Sequence, residues 1–246
     1  MVETRLLDQE TPTLPKDAAK HLKVLRPEDG EPIELFDGRG HWRVYVCDGQ
    51  GLRARSDCRT IEKPDNALTL FACVTKGSRW DWTIEKATEL GVTRIVPVIS
   101  DRTIVRIPKA ERAAKRERWL RIAEDAARQS DAKWMPEIPE AVDFRDSLAL
   151  VKDTMCFIGA LTNPPPPSLA AATTAFLEKR TVGPHSLAAY VGPEGDFTPD
   201  ELAALMQIAT PTSFGPTVLR AETAAIFAVT VLRALSDRQA ESGSLT

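Results

Sequence analysis

The stretch that most constrains this chain is YVGPEGDFTPDELAAL, residues Tyr190 to Leu205. The apolar run Leu187 to Val191 reads as a buried strand, Gly192 and Gly195 punctuate a short loop, and the loop ends on helix-start signals. Thr198 suits the N-cap, Pro199 the first helical position, and Glu201 completes a T-x-x-E capping box, while Phe197 before the cap can staple onto Leu202. The loop is therefore fixed at both ends. Strand, glycine loop and helix in that order is how open α/β sheets hold ligands, because glycine lets backbone N–H and C=O groups approach a bound molecule. A tight turn between strand and helix satisfies the same pattern, so this piece alone leaves both readings open.

The neighbouring segments extend the α/β pattern. Leu68 to Thr75 is a continuous apolar run suited to a buried parallel strand. A helix is predicted from Trp80 to Leu90, capped by Ser78 and stopped at Gly91, with Trp80, Ile84 and Ala87 on one face. Thr93 to Ile99 is the next strand, which makes a βαβ unit. Lys109 to Gln129 has helical spacing, and Met155 to Leu161 is a further strand, followed by Thr162, Asn163 and a stiff loop through Pro164 to Pro167. A glycine-proline turn at Gly215 and Pro216 then leads to a long apolar helix from about Ala224. The first 65 or so residues differ: PIELFDGRGHWRVYVCD alternates apolar and polar positions about the Asp37 to Gly40 turn, a hairpin, and Asp17 to Leu25 suits a short helix. A small β-barrel is expected there.

Charge narrows the function classes. The formal charge of -3 argues against a protein that coats nucleic acid indiscriminately. Yet Arg102 to Arg121 holds eight basic against two acidic residues, while Val182 to the end holds three against seven, so a polyanion contact is expected in the middle of the chain. Cys47, Cys58, Cys73 and Cys156 form no C-x-x-C pair and the three histidines do not cluster, so no metal site is expected and the cysteines read as buried reduced thiols of a cytoplasmic protein. The N-terminus has no apolar signal core, and no run approaches the roughly 18 apolar residues that span a membrane.

Taken together, GPEG, the helix after it, and FGPTVLRAETA resemble the C-terminal signature of the SPOUT class of RNA methyltransferases. The chain is most similar to the bacterial 16S ribosomal RNA (uracil-N3)-methyltransferase family, and HLKVLRPEDGEPIELFDGRG and KATELGVTRIVPVISDRT carry the resemblance upstream. Four separated motifs in order are far more specific than any one.

The resemblance implies a SPOUT-type α/β trefoil-knot domain over residues 67–240, preceded by a PUA-like, RNA-docking β-barrel over residues 1–66. It implies S-adenosylmethionine as cofactor, held by three strand-end loops: Gly159 and Leu161; Gly192, Pro193, Glu194 and Gly195; Phe214, Gly215, Val218 and Leu219. Pro193 and Pro216 would stiffen these loops, so less ordering entropy is lost on binding. Methyl transfer to a uracil nitrogen needs removal of the ring N–H proton, which leaves negative charge on the flanking carbonyl oxygens; Arg220 is the candidate to stabilise it, with Glu222 orienting Arg220 or the helix N-terminus. The alternative for this pair is a structural salt bridge. Arg5, Lys23, Arg26, Arg39, Arg102 and Arg106 are the candidate contacts to RNA, with solvated surface charge as the other reading. The implied partners are 16S ribosomal RNA or the small ribosomal subunit and a second copy of the chain, a homodimer.

Several positions depart from the family pattern. Asp196 stands where the family usually has a second glycine, a site at which aspartate is tolerated if φ > 0 is needed. Thr217 stands where the family often has a basic residue and Ala221 where it often has threonine, and a few residues after AARQS, where the family has an arginine, this chain has Ala132 and Lys133. Two other functions therefore stay open: a SPOUT enzyme acting on ribose or transfer RNA, and a degenerate member that binds RNA without catalysis.

Overall fold

The structure, a computed structural model, describes residues 1–49, 51–160, 162, 164–179 and 185–243, side chains from 238 to 243 excepted. The chain forms two compact units, Met1–Pro64 with Ala127–Met135 and Asp65–Ala126 with Pro136–Thr246.

The first unit holds helices α1 (Thr4–Leu7) and α2 (Lys16–Leu25) and strands β1 (Pro32–Phe36), β2 (His41–Cys47), β3 (Leu52–Ala54) and β4 (Arg59–Thr60). The expected hairpin is present: β1 and β2 pair antiparallel with Leu35 opposite Arg43. Its turn is built on Asp37, whose carboxylate accepts from the Arg39 and His41 backbone N–H groups at 2.7 and 3.1 Å and from the Thr4 hydroxyl at 2.7 Å. Burial alone would push the Asp37 carboxyl up, but hydrogen bonds from Thr4, Arg39 and His41 together hold it below its usual range. Gly40 takes φ 91°, and a Cβ there would lie 2.4 Å from the Ile61 carbonyl oxygen, so the turn requires glycine. Across this turn the Gly40 N–H donates to the Lys133 carbonyl and the Met135 N–H to the Gly38 carbonyl, both at 2.9 Å, which explains why residues 127–135 belong to this unit. Lys133 is buried there, paired with Glu34 and Asp131 and lying over the rings of Phe36 and Trp42.

This sheet corrects the expected barrel. Among the described residues β3 and β4 both pair with β2 and neither reaches β1, so the four strands remain an open sheet. Strands of three and two residues are too short to carry the ladder around. The core under the sheet is Val2, Leu7, Leu35, Tyr45 and Leu52. The Tyr45 hydroxyl lies 3.1–3.2 Å from the carbonyl oxygens of Leu6, Leu7 and Gln9, which ties α1 and the segment after it to β2. Tyr45→Phe is expected to lower the unfolding free energy of this unit by about 1–2 kcal/mol, read as a lower urea midpoint at unchanged slope.

The second unit contains β5 (Ala67–Cys73), α3 (Ser78–Glu89), β6 (Arg94–Ile99), most of α4 (Lys109–Ser130), β7 (Val142–Asp143), α5 (Phe144–Leu148), β8 (Met155–Gly159), α6 (Leu169–Glu178), β9 (Ser186–Val191), α7 (Pro199–Leu205), β10 (Ala209–Thr212) and α8 (Ala221–Gly243). All pairs in its six-stranded sheet are parallel, in the order β10-β8-β9-β5-β6-β7. Strand β9 inserts between β5 and β8, both laid down earlier in the chain, with Ala189 opposite Leu70 and Ala188 opposite Cys156. A strand flanked on both sides must be apolar throughout, and five of the six residues of β9 are buried. Beneath it Phe71 stacks on Tyr190 at 5.2 Å, while Phe144 and Phe197 meet the Tyr190 ring edge-on.

Two local expectations change. Ser78 is the first residue of α3, not its cap: Gly77 holds the cap position at φ 66°, and no side chain satisfies the exposed N–H groups. The cysteines are all free, but only Cys73 and Cys156 are buried; Cys47 is half-buried and Cys58 exposed. Burial pushes both the Cys73 and the Cys156 thiol up to about 12, so neither is a nucleophile at neutral pH.

Candidate functional site

The site is built at the carboxyl ends of three adjacent strands, β10, β8 and β9. After β9 the chain turns at Gly192, where a Cβ would meet the Phe197 ring at 2.9 Å, so a side chain cannot enter without displacing that buried ring. The Asp196 N–H donates to the Pro193 carbonyl at 3.0 Å, and Asp196 takes φ 57°, a left-handed value that aspartate tolerates. Its Oδ1 accepts from the Phe197 N–H at 2.7 Å, the local bond that lets aspartate occupy this region.

The capping box of α7 is present as read from the sequence. The Glu201 N–H donates to Thr198 Oγ1 at 3.3 Å and the Thr198 N–H to Glu201 Oε2 at 2.9 Å. Glu201 does more than the motif requires, because its Oε1 also accepts from the Asp101 N–H at 2.9 Å. Arg102 completes the strap by donating to the carbonyls of Gly195 and Phe197 at 3.1 and 3.2 Å.

The other two walls come from β8 and β10. The Ala160 N–H donates to the Thr212 carbonyl at 2.9 Å, and a Cβ on Gly159 would lie 3.1 Å from the Phe214 ring. Phe214 in turn packs against Phe227 of α8 at 5.6 Å, and Gly215 turns the chain at φ 123°.

These loops enclose a cavity of about 450 Å³. Of the predicted cofactor residues, Gly159, Gly192, Pro193, Glu194, Phe214, Gly215, Val218 and Leu219 line it. Gly195 does not; it packs against the Arg102 side chain, and Leu161 lies outside the described residues. Sequence reasoning missed Tyr190, which faces the cavity from β9 although it reads as a core residue. Burial pushes the Tyr190 phenol far up, and it shares a hydrogen bond with the Ser147 hydroxyl, so it stays protonated.

The charged groups are distributed unevenly. Arg220 lines the cavity at the foot of α8 and makes no ion pair among the described residues. No ion pair joins it to Glu222 among the described residues: Glu222 Oε1 lies 3.9 Å from Arg79 Nε, and its Oε2 is buried without a hydrogen-bond partner there. The same Arg79 donates from Nη1 to Glu194 at 3.1 Å. Arg79 was not anticipated; its only signal is its place in the first turn of the helix after β5.

The predicted RNA contacts divide likewise. Arg102 is occupied by the loop carbonyls, and Arg106 donates to the carbonyls of Ser100 and Asp101 at 3.2 and 2.6 Å. On α4, Arg112, Arg116 and Arg118 bind Asp143, the Ile138 carbonyl and Asp81. Much of the basic excess in this stretch thus holds the unit together. In the first unit Arg5, Lys23, Arg26 and Arg39 are exposed, with Arg5 paired to Glu3 at 2.6 Å and Arg26 closing α2 at φ 50°. Among the described residues no group of three His, Cys, Asp or Glu side chains is placed to hold a metal, and no helix is long and apolar enough to cross a membrane.

Comparison with known proteins agrees with this geometry. The profile of the family described as RNA methyltransferase domain matches residues 62–233. Ribosomal RNA small subunit methyltransferase E of Synechocystis sp. is 31% identical over 222 residues, covering 87% of this chain and 69% of the relative. The Bacillus subtilis protein of the same name is 31% identical over 207 residues, covering 77% of this chain and 80% of its own. Among solved structures, the Neisseria gonorrhoeae ribosomal RNA small subunit methyltransferase E bound to S-adenosylmethionine superposes with a TM-score of 0.75 at 27% identity over 90% of both chains. With a family profile over most of its length and relatives at this identity, the chain belongs to the ribosomal RNA small subunit methyltransferase E family of RNA methyltransferases.

Proposed function

We propose that this protein transfers a methyl group from S-adenosylmethionine to N3 of a specific uridine in the 16S ribosomal RNA of the small subunit. The observation that carries the reading is the convergence of three strand-end loops on one cavity, in a chain of a family whose Neisseria member binds that cofactor. The residues fit it. The volume of about 450 Å³ lies in the range of small-molecule sites. Gly159 and Gly192 keep the wall free of side chains, and Val218 and Leu219 offer apolar faces for an adenine ring. Glu194 and Asp196 offer carboxylates to a cationic ligand.

When bound, S-adenosylmethionine supplies an electrophilic methyl carbon on a positively charged sulfur. Among the described residues Arg220 is the one cationic side chain lining the cavity, and it is the candidate to stabilise the negative charge that spreads onto the uracil carbonyl oxygens as the N3 proton leaves. Glu222 acts through Arg79, holding the first turns of α3 and α8 together beside the Glu194 loop. Tyr190 keeps its proton and serves as a wall, not a base.

We read the second unit as a SPOUT trefoil-knot domain, a reading supported by the insertion of β9 between two earlier strands. The first unit is read as a PUA-like RNA-docking domain presenting Arg5, Lys23, Arg26 and Arg39, and the active species as a cytoplasmic homodimer. A sedimentation mass of one 27.1 kDa chain would reject the dimer. The activity is tested by incubating small subunits from a strain lacking it with labelled S-adenosylmethionine, followed by nucleoside analysis. 3-Methyluridine is expected; label in another nucleoside would overturn the N3 assignment, and cofactor binding without transfer to any RNA would favour the degenerate member.

A further inference from the structure

Among the described residues three charged side chains line the cavity, and they are not equivalent. Glu194 is neutralised by Arg79, whose Nη1 lies 3.1 Å from it. Arg220 lines the cavity from the residue before α8. Asp196 is an exposed acid that no basic side chain pairs among the described residues; the one hydrogen bond to its carboxylate there is from the neighbouring Phe197 N–H. It also occupies a left-handed backbone conformation that costs any side chain strain relative to glycine, so a carboxylate is held at the cavity where the backbone itself favours none.

We propose that Asp196 makes the cavity select the cationic cofactor over its neutral product. This rests on reading the cavity as the S-adenosylmethionine site. S-adenosylmethionine carries an ammonium, a sulfonium and a carboxylate, a net charge of about +1 at neutral pH from ordinary pKa values. Transfer moves the methyl group to the acceptor nitrogen while the electron pair of the broken C–S bond stays on sulfur, and the acceptor's proton goes to solvent. S-adenosylhomocysteine is then left without net charge. The two ligands are otherwise alike in shape, so an unpaired carboxylate acts on their difference. Solvent and salt screen its field with distance, so it acts on the charge that differs between the two ligands from its place on the cavity lining. The consequence is easier product release and weaker product inhibition.

Calorimetric titration of the full chain tests this without any turnover. Asp196→Asn keeps the left-handed conformation and the acceptor for the Phe197 N–H while removing the charge. It is expected to weaken S-adenosylmethionine about 3- to 10-fold and S-adenosylhomocysteine less than about twofold, the gap narrowing at high salt. Sinefungin, which bears an amine in place of the sulfonium, is expected to follow the cofactor. Asp200→Asn, the same charge change on the exposed first turn of α7 and outside the cavity, is expected to leave the ratio unaltered. Equal weakening of both ligands, no weakening, or the same shift from Asp200→Asn would overturn the inference. Failure of the unsubstituted chain to bind S-adenosylmethionine at all would overturn the cofactor reading itself, and the inference with it.

Discussion

Replacing Arg220 by alanine is expected to lower the methyl-transfer rate about 10²- to 10³-fold while the dissociation constant for the cofactor changes by no more than a few-fold. The asymmetry follows from where the charge is needed. Bound substrate is neutral at the uracil ring, and negative charge on the carbonyl oxygens appears only as N3 loses its proton. A guanidinium aimed at that charge stabilises the transition state far more than the ground state. Arg220 is suited to this because no carboxylate pairs with it among the described residues, and because its own carbonyl accepts from the Ala224 N–H at 2.8 Å in the first turn of α8. The backbone that carries the side chain is thereby fixed, and the positive end of the α8 dipole adds to the same field. Arg220→Lys is expected to recover part of the loss, since an ammonium supplies charge without the planar fork. Single-turnover rates on small subunits, beside calorimetric cofactor affinity, separate the two effects. A retained rate, or a rate loss matched by an equal loss of affinity, would remove Arg220 from the chemistry.

What the sequence made legible was local. The capping box at Thr198 and Glu201 needs only residues three apart, and it appears in the structure bond for bond. The hairpin about Asp37 to Gly40 is likewise written in alternation and two glycines at positive φ. What stayed hidden depends on partners distant in sequence. Arg79 meets Glu194 across 115 positions, and no spacing rule reaches that far. Arg102 and Arg106 read as free cations because charge is visible in a sequence, whereas the orphan loop carbonyls they satisfy are not. Closure of the first sheet failed for a similar reason: alternation identifies strands, but a barrel needs strand lengths that β3 and β4 lack. The place of β9 between β5 and β8 is a property of connection order, which apolar periodicity does not encode. Ser78 was misassigned by one residue, since Gly77 at φ 66° provides the turn into α3 that a capping serine usually makes.

The Glu201 strap leads to the second large expectation. Glu201→Ala is expected to lower the unfolding free energy of the second unit by about 3 kcal/mol and to weaken cofactor binding at least severalfold. Its carboxylate is 6% exposed and accepts from two backbone N–H groups on separate segments, Thr198 at the start of α7 and Asp101 after β6. Each such bond to a charged acceptor contributes about 1.5–3 kcal/mol, and truncation leaves both donors without a partner. The loss reaches the cavity because these segments frame it: Pro193, Glu194 and Asp196 lie between β9 and the cap, and Arg102, next to Asp101, grips the carbonyls of Gly195 and Phe197. With Asp101 released, Arg102 loses its anchor and the loop must be ordered by the ligand, which lowers affinity by that ordering cost. Glu201→Gln is the informative companion, since it keeps one oxygen acceptor and the side chain's volume. It is expected to fall between the two, retaining one of the two backbone bonds. Urea unfolding and calorimetric cofactor titration on the same preparations test the coupling. If Glu201→Ala destabilised the unit but left cofactor affinity untouched, the strap would serve folding alone and the loop would hold its shape without it.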